Sequence, residues 1–302
     1  MACDVIVVGE GVAGLACAGE LAAAGLKVAT FEADFLGGLV TNVNELTRFE
    51  RAGGMSGIDY AGTLALANRK AGVHSISEAI DAICPLESGF EVATASGKHA
   101  ARFIVLASGA RLKRLGIPGE DALEGRGVSW CADCDAPLFT DADTIIAGCG
   151  QWAVQDALLL ARDCATVHMM CGGAAPDATP DALARLAAEP KIHVHADTTV
   201  VEVLGNDSGM TGARVRGPAG GESKIAATGL FVMTGLEANS GIAPAGAQRD
   251  PDGRIIVNED TGTAVPGLWA IGQVRAGFGG WLEDALTDAK RAAAAIRACA
   301  AQ

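Results

Sequence analysis

Short apolar runs, each closed by a glycine turn and followed by an alanine-rich stretch, recur along this chain and predict strand-turn-helix units. The first run, Asp4-Val5-Ile6-Val7-Val8, precedes Gly9-Glu10-Gly11-Val12-Ala13-Gly14 and a helical segment reaching Ala24. A second predicted strand, residues 27–31, ends at Glu32, and the glycine- and amide-rich residues 36–45 then read as loop. Further on, the pattern predicts a helix near residues 60–70 and strands near 89–94 and 103–106. Gly116-Ile117-Pro118-Gly119 is a strong break and marks a domain crossing.

Beyond that break the rhythm repeats. Thr144-Ile145-Ile146-Ala147 leads into Gly148-Cys149-Gly150-Gln151-Trp152-Ala153 and a helix over residues 154–162, and a strand over 166–170 ends in Cys171-Gly172-Gly173. Residues 193–203 and 214–234 alternate apolar positions with glycine turns, which predicts a small β-meander. The tail runs from Gly253 through Val265-Pro266-Gly267-Leu268-Trp269-Ala270-Ile271-Gly272-Gln273-Val274 to an alanine-rich helix after Trp281. It is again strand, glycine turn and helix, an order that aims a helix N-terminus at a ligand.

A glycine turn between strand and helix lets the backbone turn sharply and approach a pyrophosphate, whose charge meets free N–H groups at the helix start. The first turn has the full context, because Glu32 ends the next strand where a ribose hydroxyl is expected. The second departs from it. Trp152 is bulky where a small residue would let the helix approach, and neither an acid for a ribose nor a basic cluster for a 2′-phosphate follows Met170. A scaffold without a ligand stands beside the dinucleotide reading for this half.

At 302 residues the chain is long enough for two ordinary domains. Aromatic residues are only 4% while Gly counts 40, so the core must be built of Ala, Val, Leu and Ile around tight turns. A formal net charge of −13 repels phosphate backbones and anionic lipid, which predicts no nucleic-acid and no membrane partner. No run of about 18 apolar residues occurs and Met1-Ala2-Cys3-Asp4 lacks a basic start, so a cytoplasmic setting is expected. Of the nine cysteines, Cys3, Cys17, Cys84, Cys164 and Cys299 read as small buried hydrophobes. Cys131-Ala132-Asp133-Cys134-Asp135 is different, since two cysteines at this spacing can close a redox disulfide or hold half of a zinc site. No second Cys or His pair of the right spacing exists, so redox use is favoured and no metal site is expected. The thiolate is the reactive form and needs a nearby acid or base; Asp135 is the candidate on the C-terminal flank, with helix capping as its other reading. Asp133 opposes thiolate formation slightly.

The motifs Gly9-x-Gly11-x-x-Gly14 with Glu32, Gly37-Gly38, Ala107-Ser108-Gly109-Ala110, Ile117-Pro118-Gly119-Glu120, Gly127-Val128-Ser129 before Cys131-x-x-Cys134-Asp135, Gly229-Leu230-Phe231-Val232 and Val265-Pro266-Gly267 come in one order. That order resembles the low-molecular-weight thioredoxin reductase family over essentially the whole chain. The resemblance implies an α/β fold of two Rossmann-like three-layer dinucleotide-binding domains. A FAD domain, residues 1–115 and 245–302, is split around an inserted pyridine-nucleotide-like domain, residues 116–244, that carries the C-x-x-C. A homodimer acting on a thioredoxin-like protein or a small dithiol or disulfide is implied as well. Cys134 would lie against the flavin, Cys131 would attack the partner disulfide and Asp135 would shuttle the proton. FAD would be held by Gly9, Gly11, Val12, Ala13, Gly14, Glu32, Ala33, Gly38, Leu39, Thr41, Asn44, Ala107, Ser108, Gly109, Gly272, Gln273, Glu283, Asp284 and Ala285.

Three departures from the family shape the expected chemistry. Its His-Arg-Arg for the NADPH 2′-phosphate aligns with Cys171-Gly172-Gly173, removing charge-assisted hydrogen bonds of about 1.5–3 kcal/mol each. Its Gly-Asp-Val near the FAD ribityl chain is Gly272-Gln273-Val274, and its Arg-Gln beside the flavin is Glu283-Asp284, a more negative setting for an anionic reduced flavin. The leading expectation is therefore a FAD-dependent dithiol/disulfide oxidoreductase with poor or absent NADPH use. It would work as a thiol oxidase passing electrons to oxygen, or as a reductase fed by another donor such as ferredoxin. An ordinary NADPH-dependent thioredoxin reductase, with Arg111, Lys113 or Arg114 on the phosphate, is one competing reading. A non-catalytic flavin-binding redox sensor is the other, and the intact C-x-x-C-D weighs against it.

Overall fold

The computed structural model describes residues 2–46, 49, 53–173 and 175–301. The chain forms two compact units, one of Met1–Arg111 with Glu237–Gln302 and one of Leu112–Leu236. In the first, β1 (Ala2–Val8), α1 (Val12–Ala23), β2 (Val28–Phe31), α2 (Gly57–Lys70) and β3 (His74–Ile76) alternate, followed by β4 (Ile80–Pro85), β5 (Phe90–Thr94) and β6 (Gly97–Leu106). Strands β3-β2-β1-β6 lie side by side in parallel, and β5 and β4 extend the sheet antiparallel. Successive β1 side chains point to opposite faces: Val5 and Val7 pack with α1, while Ile6 and Val8 pack with Phe31, Ile104 and Leu106. Both faces are covered, which is why the sequence shows an unbroken apolar run instead of an alternation.

Strand β7 (Ala110–Leu112) leads into the second unit, which contains β8 (Val128–Ser129), α3 (Ala132–Asp135), β9 (Asp143–Ala147), α4 (Gln151–Asp163), β10 (Thr166–Met170), α5 (Pro180–Ala188) and β11 (Ile192–His195). It continues through β12 (Thr199–Asn206), β13 (Gly209–Arg216), β14 (Glu222–Ile225) and β15 (Gly229–Val232). A five-stranded sheet in the order β11-β10-β9-β15-β8 is wholly parallel. The expected meander is confined to β12-β13-β14; β11 and β15 belong instead to the parallel sheet, their short apolar runs being compatible with either setting. β16 (Leu236–Ala238) pairs with β7 and returns the chain to the first unit. There β17 (Leu268–Ala270) joins the last residues of β6, and α6 (Leu282–Ala300) packs its small face, Ala289, Ala292 and Ala293, with Ala18 and Leu21 of α1. Residues 253–258 form no strand, only isolated bridges from Ile255 to Arg249 and Arg275.

The cysteine expectation needs correction, for only Cys17 and Cys164 are buried; Cys3 is half-buried, and Cys84 and Cys299 are exposed on an outer strand and at the end of α6. Among the described residues no helix is long and apolar enough to cross a membrane.

His168 of β10 and His195 of β11 are neighbours, with Nδ1 and Nε2 3.1 Å apart, so one ring donates and the other accepts. Burial, then the nearby imidazoles, lower both below the ordinary histidine value. The unfolded chain therefore binds protons more readily, and stability falls as pH drops below about 6.5. His168→Gln is expected to shrink the loss of unfolding free energy between pH 7.5 and 5.5, read from urea titrations at the two pH values. An unchanged pH slope would refute this assignment.

Candidate functional site

Strand β1 delivers the chain to Gly9, whose amide donates to the Phe31 carbonyl at 2.7 Å and whose φ of +103° lies in the left-handed region. A Cβ on Gly9 would stand 2.4 Å from the Ala107 oxygen, and one on Gly14 2.0 Å from the Gly9 oxygen. Protein packing thus fixes both glycines. Gly11 differs, because its φ is −68° and the nearest atom to an added Cβ is the Gly37 oxygen at 3.7 Å. The fold itself does not demand glycine there. What the missing side chain leaves is a cradle over the start of α1, a helix with no side-chain cap and no acid in its first turn. The N–H groups of Val12, Ala13 and Gly14 make such a turn an anion site, and the cradle fits a dinucleotide pyrophosphate.

The other expected contacts gather round this turn. Gly37 bridges Gly11 and donates to the Glu10 carbonyl at 2.9 Å, which sets Gly38, Leu39 and Thr41 beside it. Residues Gly38–Asn42 form a 3-10 helix where plain loop was expected, closed by the Thr41 hydroxyl on the Gly38 carbonyl at 2.8 Å. Glu32 accepts the Glu10 and Asp34 amides at 2.7 and 3.0 Å, and its remaining lone pairs are available to ribose hydroxyls. Ala33 and Asn44 are exposed at the rim. Ala107 backs Gly14, and Ser108 and Gly109 are locked to Asn239: Ser108 Oγ donates to the Asn239 carbonyl at 2.8 Å, and Asn239 donates to the Ser108 and Gly109 carbonyls at 2.9 and 3.0 Å. Sequence reading passed over Asn239, a residue 131 positions from its partner with no local motif.

Gly272, at φ +71°, comes within 3.0 Å of the Ala13 Cβ by its own virtual Cβ, so the Gly272-Gln273 turn abuts the start of α1. Its amide donates to the buried carboxylate of Asp288, which also receives Arg275. Neither residue carried a sequence signal. Ala285 is buried in α6, Glu283 is exposed, and Asp284 accepts the Trp281 amide at 3.1 Å. Acids at a helix start are favourable, which gives Glu283 and Asp284 a structural use.

The second turn repeats this geometry and corrects one expectation. Gly148 has φ +134°, a Cβ there would meet the Met233 oxygen at 2.1 Å, and the residue facing it is Ala153 at 3.4 Å. Ala153, 1% exposed, is the small residue that lets α4 approach. Trp152, expected to crowd the turn, stands 44% exposed one position earlier and obstructs no packing. Gly150 has open space around it, and α4 again begins without a side-chain cap or acid. After β10, however, residues 171–173 bring no cation, as the sequence indicated. A returning loop places Asp177 at the turn through its amide on the Cys149 carbonyl at 2.8 Å. Arg111 is paired with Glu237 at 2.6 Å, and Arg114 with Asp121 and Glu124 at 2.6 and 2.7 Å.

Cys131 and Cys134 are joined as a disulfide with Cα atoms 5.3 Å apart, at the start of α3. The buried Ser129 organises this segment. Its hydroxyl donates to Asp135 Oδ2 at 2.7 Å and receives the Cys131 amide at 3.0 Å. Asp135 makes no side-chain cap, so the capping reading fails and its carboxylate is oriented by Ser129. Behind the segment, Ala132 and Ala136 share a core with Ala153 and Ala157 of α4. On α4, burial and then the charge of Asp133 push Asp156 up to about 7, a protonatable group that sequence reading missed.

A discontinuous Rossmann-type unit interrupted by a second one that carries a C-x-x-C disulfide defines a flavin-dependent disulfide oxidoreductase. The chain belongs to the pyridine nucleotide-disulphide oxidoreductase family, whose model matches residues 3–298, and within it to the low-molecular-weight thioredoxin reductases. The thioredoxin reductase of Treponema pallidum is 31% identical over 275 residues, spanning 90% of this chain and 89% of its own. That of Mycolicibacterium smegmatis is 33% identical over 278 residues, spanning 90% and 88%. The crystal structure of Lactococcus lactis thioredoxin reductase matches with a TM-score of 0.88 at 26% identity, covering 97% of both chains.

Proposed function

We propose that this enzyme exchanges electrons between FAD, held by the Gly9–Gly14 turn, and the Cys131/Cys134 pair, and through that pair with a thioredoxin-like protein or a small disulfide. The observation that carries this reading is the Cys131–Cys134 disulfide beside a carboxylate that Ser129 orients. Bound FAD supplies the two-electron chemistry. The first-turn N–H groups of α1 hold its pyrophosphate and Glu32 its ribose, with Gly38, Leu39, Thr41, Ser108 and Gly272 around them. On the second unit Cys131 is the sulfur that attacks the partner disulfide, Cys134 releases the mixed disulfide, and Asp135 takes and returns the thiol proton. Filling the cradle with Gly11→Val should cost the apo fold only about 1 kcal/mol at a helix start, while flavin content falls at least tenfold in the absorbance ratio of flavin to protein. Full occupancy in that variant would remove Gly11 from the site.

The Gly148–Ala153 turn is assigned to the pyridine nucleotide, with NADPH used poorly because residues 171–173 offer its 2′-phosphate no guanidinium. The turn itself is sterically ordinary, so charge alone disfavours NADPH there. Anaerobic stopped-flow mixing with NADPH and with NADH decides it. Slow bleaching of the flavin by millimolar NADPH is the expected result. Bleaching within about a second would restore the ordinary NADPH-dependent reductase, the reading that the likeness to thioredoxin reductases favours. A homodimer and a cytoplasmic setting are carried over with the family, and light scattering of the purified protein tests the first.

A further inference from the structure

A second pair of thiols lies in the Leu112–Leu236 unit, outside the C-x-x-C segment. Cys149 occupies the middle of the turn after β9, and Cys171 directly follows β10. The two strands are parallel neighbours with Ala147 opposite Met170, and the Gly148 amide donates to the Met170 carbonyl at 3.0 Å. Continued by one residue, that register sets Gly148 opposite Cys171, so Cys149 lies one residue further along the neighbouring strand end. Both are free, and near enough for Cys149 to act on the Cys171 thiol. The backbone on each side is pinned: Cys171 donates to the His195 carbonyl at 3.0 Å and accepts from Thr198 at 2.7 Å, while the Cys149 carbonyl accepts from Asp177 at 2.8 Å. Two thiols on neighbouring strand ends whose backbones are pinned in this way are candidates for a disulfide that closes by side-chain rotation. Exchange at Cys131 and Cys134 makes no use of them.

We propose that Cys149 and Cys171 form a second, reversible disulfide, closed by low-molecular-weight disulfides of the glutathione kind. The two sulfurs have different roles. Cys171 is buried, and burial followed by the Cys149 charge pushes its thiol up to about 12, so it does not start the reaction at neutral pH. Cys149 is half-buried and within reach of a reagent. Its thiolate attacks one sulfur of the oxidant, forming a mixed disulfide and expelling one thiolate. That step removes the negative charge that had opposed ionisation of Cys171. Cys171 then gives its proton to solvent and attacks the Cys149 sulfur, and the second thiolate leaves. Two protein thiols are oxidised by two electrons, one external disulfide is reduced to two thiols, and the turn becomes tied to the end of β10.

The test uses the reduced holoprotein, freed of dithiothreitol, incubated with oxidised glutathione, alkylated and mapped by peptide mass spectrometry. A Cys149–Cys171 cross-linked peptide is expected, with free Cys171 reduced at least fivefold and restored by dithiothreitol. Cys171→Ser should accumulate glutathione on Cys149, and Cys149→Ser should leave Cys171 unmodified. A wild-type map without the cross-link overturns the proposal, and so does glutathione on Cys171 in Cys149→Ser. The wild-type map decides even where a variant folds poorly.

Discussion

Cys134→Ser is expected to end turnover with a thioredoxin or an aromatic disulfide, a loss of roughly 10⁴-fold or more, as when a covalent nucleophile is removed. Cys131→Ser should be equally inactive. Lost stability is not the cause, because the bridge closes so short a loop that its entropic contribution is only about 2 kcal/mol, well inside the margin of a folded domain. A serine at 131 can also accept the Cys134 amide that Cys131 Sγ now accepts at 3.1 Å, so α3 keeps its start. The two variants are separated by trapping. With Cys134 gone, Cys131 should attack the partner and hold it as a stable mixed disulfide, visible by mass. With Cys131 gone, no partner should be captured. Capture by Cys131→Ser alone would reverse the assigned roles.

The first turn was readable because every residue it needs is local: strand, glycines and Glu32 fall within one stretch whose order is set by backbone sterics and burial. The disulfide was readable for the same reason. Errors arose where the chain meets itself at a distance. β11 and β15 look like meander strands because a short apolar run carries no record of its neighbours, and only the pairing β10–β11 and β9–β15 distinguishes them. Strand β3 went unseen since its side chains are largely exposed, and β4 because its buried residues, Ile80 and Ile83, are three apart across a bulge and do not alternate as strand positions do. Trp152 was misread by one position. The helix turns about 100° per residue, so Ala153 faces Gly148 and Trp152 faces outward. Ser129 and Asn239 act through polar contacts made only in the folded chain, and no spacing rule announces such partners.

Asp288→Ala is expected to be the most damaging single change in the first unit, lowering unfolding free energy by about 3–5 kcal/mol in urea titrations. The Asp288 side chain is 1% exposed and receives three donors: Arg275 Nε at 2.6 Å, Arg275 Nη2 at 2.7 Å and the Gly272 amide at 3.0 Å. Removing it strands a guanidinium that is itself only 14% exposed and leaves a buried amide without an acceptor. Asp288→Asn keeps one acceptor and loses the charge, so its cost should be smaller, about 1.5–3 kcal/mol. Because Gly272 presses on Ala13 at the head of α1, both variants should lose flavin as well as stability. A double variant, Asp288→Leu with Arg275→Met, separates the two effects. It no longer strands a charge and should regain part of the stability, whereas the Gly272 amide still lacks its acceptor and flavin should remain weakly held. Equal recovery of stability and flavin content would show that the ion pair serves packing only and does not set the position of the Gly272 turn.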